Sequence, residues 1–183
     1  MASTAVELLR RRLEKKELQI TYIENPSTAY INTGIDMKAV GKVAVSFSNH
    51  TSGAITGMTG GSGETLFFIR DNIAQWVYRP SGFTINDGAK HDVELSKGLF
   101  VVDGVSYTFN EGIITAPPKT FICANSSFSY RSKCRIYAFD LLDANGNYLF
   151  KGRPAYVEGR YGLMDEVSAN FFGSASDVEF IGG

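Results

Sequence analysis

The spacing of apolar residues divides the chain into a short helical segment and a long extended one. Thr4-x-x-Glu7 forms a capping box, and "AVELLRRRLEKKELQ" continues it with good helix formers and no Gly or Pro. Val6, Leu9 and Leu13 recur at helical spacing on one face, with Leu8 beside them, so residues 1–19 are predicted as a short amphipathic helix. A helix of this length is marginal in water by itself. Its apolar stripe has to dock on the main domain, on sister copies or on another protein. Arg10, Arg11, Arg12, Lys15 and Lys16 are offset by Glu7, Glu14 and Glu17, leaving +2. The segment therefore reads as a solvated helix face with i,i+4 pairs such as Glu7–Arg11, not as a nucleic-acid patch.

After Gln19 the period changes to 2. Extended runs recur with turn residues between them: "AYINTGI", "KVAVSFS", "GAITGMT", "TLFFIRD", "IAQWVYR", "HDVELS", "GLFVVDG", "VSYTFN", "KTFICAN", "KCRIYAFDLLD", "NYLFKG" and "DVEFIG". Lys97-Gly98, Asp103-Gly104 and Asn145-Gly146 are hairpin signals between such runs. About a dozen short strands with almost no helix between them predict an all-β antiparallel sandwich or barrel over residues 20–183.

Composition agrees with a β-rich domain. Aromatic residues make up 13% and charged residues 20% of 183 residues, and there are 19 glycines for turns. The formal charge of −1 provides no global field toward nucleic acid or a membrane surface. No apolar run approaches the ~18 residues of a membrane span, and "MASTAVELLRRR" lacks the basic start and continuous apolar stretch of a secretory signal.

Candidate chemistry narrows the picture chiefly by exclusion. "GMTGGSGET", Gly57 to Thr65, has the rhythm of a phosphate-binding loop, but Glu64 stands where a lysine has to reach the phosphates. The strand-like "TLFFIR" comes next in place of a helix, so the loop reads as a connection between strands. His50 and His91 lack a Ser or Cys arrangement for nucleophilic catalysis. Asp92-x-Glu94 points two carboxylates to one strand face without the third of a glycosidase strand, and it reads as a solvent face. "DANGNY" starts like a calcium loop, but Tyr148 and Pro154 occupy the places of its glycine and glutamate. No Cys/His cluster has zinc spacing, and no catalytic residue, metal or cofactor is expected. Cys123 and Cys134 read either as one bridge closing a short loop or as two half-buried thiols on neighbouring strands. Trp76 and Tyr78 in "IAQWVYRP", two apart with Arg79 beyond, are the candidate ligand residues; the alternative is aromatic core.

Two segments carry a resemblance. "YIENPSTAYINTGI" and the closing "CRIYAFDLLDANGNYLFKGRPAYVEGRYGLMDEVSANFFGSASDVEFIGG" resemble a lectin-like family frequent in phages and prophages of gut bacteria. Its opening pattern is matched by Tyr30 to Gly34. Its closing pattern is matched by Ile136-Tyr137, a hairpin, Arg153-Pro154, a Gly162-Leu163-Met164-Asp165 turn and the pair Phe171-Phe172. The middle, "HDVELSKGLFVVDGVSY", is similar to the paired strands of concanavalin-like and laminin-G-like jelly rolls.

The resemblance covers residues 20–183. It implies a two-sheet jelly roll on a phage particle, as a tail, fibre or capsid-decorating component contacting glycans, and it brings no ligand residues with it. The expected partners are other virion proteins, glycans and sister subunits, a trimer being the expected oligomer, with Val6, Leu9 and Leu13 as the contact stripe. A bacterial carbohydrate-binding module is the alternative, followed by a glycan-cleaving enzyme. A virion protein made in the host cytoplasm fits the absence of a signal in this sequence.

Overall fold

The computed structural model describes residues 18–36, 39–49, 53–57, 66–70, 73–76, 79–84, 88–96, 98–108, 121–123 and 133–183. Val6, Leu9, Leu13 and Tyr78 lie outside the described residues. Within them the chain is antiparallel β-structure with no α-helix. The first strands are short: β1 (Leu18–Gln19), β2 (Ile23–Glu24) and β3 (Ile31–Asn32). Then come β4 (Lys42–Asn49), β5 (Gly53–Gly57), β6 (Leu66–Arg70), β7 (Ile73–Trp76) and β8 (Arg79–Thr84). The middle holds β9 (Lys90–Ser96), β10 (Leu99–Val102), β11 (Val105–Thr108) and β12 (Phe121–Ile122). The closing strands are β13 (Cys134–Leu142), β14 (Tyr148–Val157), β15 (Arg160–Asp165), β16 (Asn170–Gly173) and β17 (Ile181–Gly182).

The larger sheet has the order β11-β10-β9-β4-β13-β14-β15-β16, and the smaller one β3-β12-β5-β6-β7-β8. β4 runs along one edge of β13, while β2 and β14 share its other edge, β2 at Arg135–Ile136 and β14 from Phe139 onward. β14 is divided in the same way: it leaves β13 at Gly152 and meets β1 at Ala155. Pro154 falls in that gap, where a residue without an N–H interrupts no ladder.

Alternation decides which face is buried. Val43, Val45 and Phe47 of β4 face Val93 and Leu95 of β9 and Ile136, Phe139 and Leu141 of β13 in one apolar cluster. Ile31 and Ile122 of the smaller sheet join the same cluster, as do Cys123 and Cys134. Phe139 and Phe150 meet edge to face at 6.3 Å, and Phe150 and Phe172 at 5.3 Å. Such pairs contribute about 0.5–1.5 kcal/mol beyond the burial of their area.

Three expectations change. Leu18 and Gln19, read as the end of the helix, form a strand against Tyr156 and Ala155 of β14. "IAQWVYR", read as one strand, breaks after Trp76, and the chain returns as β8 with Trp76 opposite Arg79. Gly162 to Asp165, read as a turn, belong to β15, and the turn comes after it, at residues 166–169. Gly162 is required there because a Cβ would meet the carbonyl of Phe172 and the ring of Phe171 across the β15–β16 pair. The Asp103-Gly104 hairpin forms as expected: both residues take positive φ, 48° and 81°, between the paired Val102 and Val105.

Candidate functional site

A β-bulge builds the most chemically loaded surface among the described residues. In β13, Ile136 opposes Phe47, yet Ala138 opposes Ser46, so Tyr137 is an extra residue without its own partner on β4. A bulge puts two consecutive side chains on one face. Cys134 and Ile136 therefore point into the core before it, and Phe139 and Leu141 after it, while Tyr137 and Ala138 share the opposite, outer face.

Regular register carries neighbours to that face. Ser48 lies opposite Arg135 and Lys90, and Ser46 opposite Ala138 and Asp92. Arg135 also lies opposite Glu24 of β2, which places Tyr22 close by. The result is a cluster drawn from four separate parts of the chain.

Its geometry is specific. The Tyr22 and Tyr137 rings meet edge to face at 5.9 Å. The Arg135 guanidinium lies over the Tyr22 ring at 4.5 Å and donates to Glu24 at 2.6 Å. That hydrogen bond pushes the Arg135 pKa further up, against the opposing effect of burial. Lys90 Nζ lies 5.2 Å from the centre of the Tyr137 ring, and the Tyr137 hydroxyl is 3.4 Å from Ser48 Oγ. Cation–ring contacts of this kind contribute about 0.5–1 kcal/mol where exposed and hold the rings in place.

Beside them, Ser46 is 8% exposed and its Oγ is buried without a hydrogen-bond partner. Asp92, its neighbour across the strands, is exposed. Aromatic faces flanked by a cation, a carboxylate and hydroxyls can stack on an apolar ring face and exchange hydrogen bonds with hydroxyls around it.

The structure separates the other candidates. Asp92 and Glu94 share the exposed face of β9, as expected, and Glu94 is paired with Lys42 at 3.2 Å. His91 points the other way, toward Phe47, with its Nδ1 2.7 Å from Asp103 Oδ2, and so does not share a face with Ser46 or Ser48. Trp76 and Arg79 are register partners in the smaller sheet, whereas the Tyr22–Tyr137 cluster is built on strands of the larger one.

Sequence reasoning missed the cluster because its members stand at positions 22, 46, 48, 90, 92, 135 and 137. The one available local signal was the slip in alternation along "CRIYAFDL", where apolar positions move from even to odd numbers across Tyr137-Ala138. No family model matches the sequence, and no curated protein matches it.

Proposed function

We propose that the chain is a virion structural component whose lectin-like jelly roll adheres to glycans, binding them without cleaving them. Two antiparallel sheets that share one apolar cluster support the jelly-roll reading, and the sequence resemblance over residues 20–183 supports the virion setting. The observation that carries glycan binding is Tyr137 at the bulge beside Tyr22, with Lys90 over its ring and the exposed Asp92 on the same face. In this reading a sugar ring stacks on tyrosine, Lys90 donates to its oxygens, and Asp92 accepts from its hydroxyls. The arm over residues 1–17 tethers the domain to other virion proteins or to sister subunits. Binding by Trp76, Tyr78 and Arg79 is the second reading, favoured by the opposition of Trp76 and Arg79 across a hairpin.

A glycan array probed with the full chain, with titration of each hit, tests the proposal. Affinities between millimolar and micromolar are expected, and Tyr137→Ala should weaken them at least tenfold, about 1.4 kcal/mol. Loss on Trp76→Ala with Tyr137→Ala unaffected would transfer the site to the smaller sheet. Binding to no glycan, or turnover of one, would overturn the proposal. Mass spectrometry of purified phage particles tests the virion setting; absence from particles favours a bacterial carbohydrate-binding module.

A further inference from the structure

Cys123 and Cys134 are both fully buried, and their sulfurs are 3.4 Å apart. Cys123 comes directly after β12 of the smaller sheet, and Cys134 opens β13 at the centre of the larger one. We propose that these thiols close into a disulfide when the protein meets an oxidising environment, and that the bond staples one sheet to the other. The sulfurs stand about 1.4 Å beyond bonding distance, a gap that small side-chain rotations can close. Both thiols already sit in contact inside one packed cluster before any bond forms.

The surroundings set how the bond forms. Cys123 is held well above its ordinary pKa, first by the hydrogen bond to Cys134 and then by burial, so its buried thiol is a poor nucleophile. β12 and β13 are each paired along both edges, but β12 is two residues long and β13 nine. Local opening is therefore cheaper on the Cys123 side.

In the open state the Cys123 thiolate attacks a small-molecule disulfide such as oxidised glutathione. A mixed disulfide forms and one glutathione thiolate leaves. The Cys134 sulfur, having lost its proton, then attacks the Cys123 sulfur and expels the second glutathione. Two electrons and two protons leave the protein, and one oxidant disulfide becomes two thiols.

The full chain, purified with reductant, is incubated with oxidised or with reduced glutathione, denatured, alkylated and weighed. The oxidised sample should take up no alkyl group, weigh about 2 Da less than the reduced protein before alkylation and yield a Cys123–Cys134 cross-linked peptide, while the reduced sample takes up two alkyl groups. Its thermal midpoint should rise by about 6–10 °C, an increase absent from Cys123→Ala. A low urea concentration that promotes opening should speed the reaction. If both thiols still alkylate after such treatment, or if only glutathione adducts accumulate, the pair is not a disulfide site. A cross-link that forms without raising the midpoint would refute the staple.

Discussion

Replacing Asp165 by Ala removes the acceptor that organises the turn between β15 and β16. Asp165 is 2% exposed, and its carboxylate accepts from Lys151 N at 2.8 Å, Val167 N at 3.1 Å, Ser168 N at 3.1 Å and Ser168 Oγ at 2.6 Å. Val167 and Ser168 are exposed, so water can replace the acceptor for their groups. Lys151 N lies within the sheet and would lose its partner, at a cost of about 1–3 kcal/mol. Adding a smaller contribution from the loosened turn, the variant should lose about 3 kcal/mol, or roughly 6–12 °C of melting temperature in a chain of this size.

The pH dependence gives the sharper test. Burial acts to raise the Asp165 pKa, but the hydrogen bonds from Lys151, Ser168 and Val167 outweigh it and leave the pKa lowered. A lowered folded-state pKa means the stabilisation is fully present above the unfolded value of about 3.9 and is lost as pH falls through the folded value. Thermal unfolding monitored by circular dichroism from pH 7 downward should therefore show the gap between wild type and Asp165→Ala closing only in acid below that range. A gap under 1 kcal/mol at pH 7 would refute the accounting of hydrogen bonds. A gap that persists in strong acid would assign the loss to packing and not to the charge.

Gly162→Ala should cost about 2–3 kcal/mol, because its Cβ would press on the Phe172 carbonyl and the Phe171 ring; chemical denaturation measures this. Deleting residues 1–17 should leave a β-rich protein by circular dichroism that no longer assembles by light scattering, and unfolding on deletion would place the arm in the core. Trp76→Ala should lower the melting temperature through a loss of about 3–5 kcal/mol if Trp76 is core, and leave it nearly unchanged if Trp76 meets ligand.

Local chemistry was enough to determine the extended character of the chain and several of its reversals. The period-2 runs of β4 and β9 place Val43, Val45, Phe47, Val93 and Leu95 inward, because side chains alternate across a pleat whatever the partner strand. Asp103-Gly104 turns because those residues tolerate positive φ, a property of the dipeptide itself. β15 was not legible as a strand because Gly162 and Leu163 are both buried, so the run does not alternate. The hairpin after Trp76 was not legible because no Gly or Asn marks it.

The tertiary structure alone decided who stands beside whom. Tyr22, Lys90 and Tyr137 meet because β2 and β4 flank β13 and β9 flanks β4, pairings made across long sequence separations. The bulge lets Tyr137 and Ala138 both face outward and returns Phe139 to the core, and the joining of the sheets brings Cys123 to Cys134. Alternation and turn chemistry act over a few residues, whereas strand pairing is settled by burying the whole apolar cluster at once. The composition of one strand therefore does not specify its neighbour.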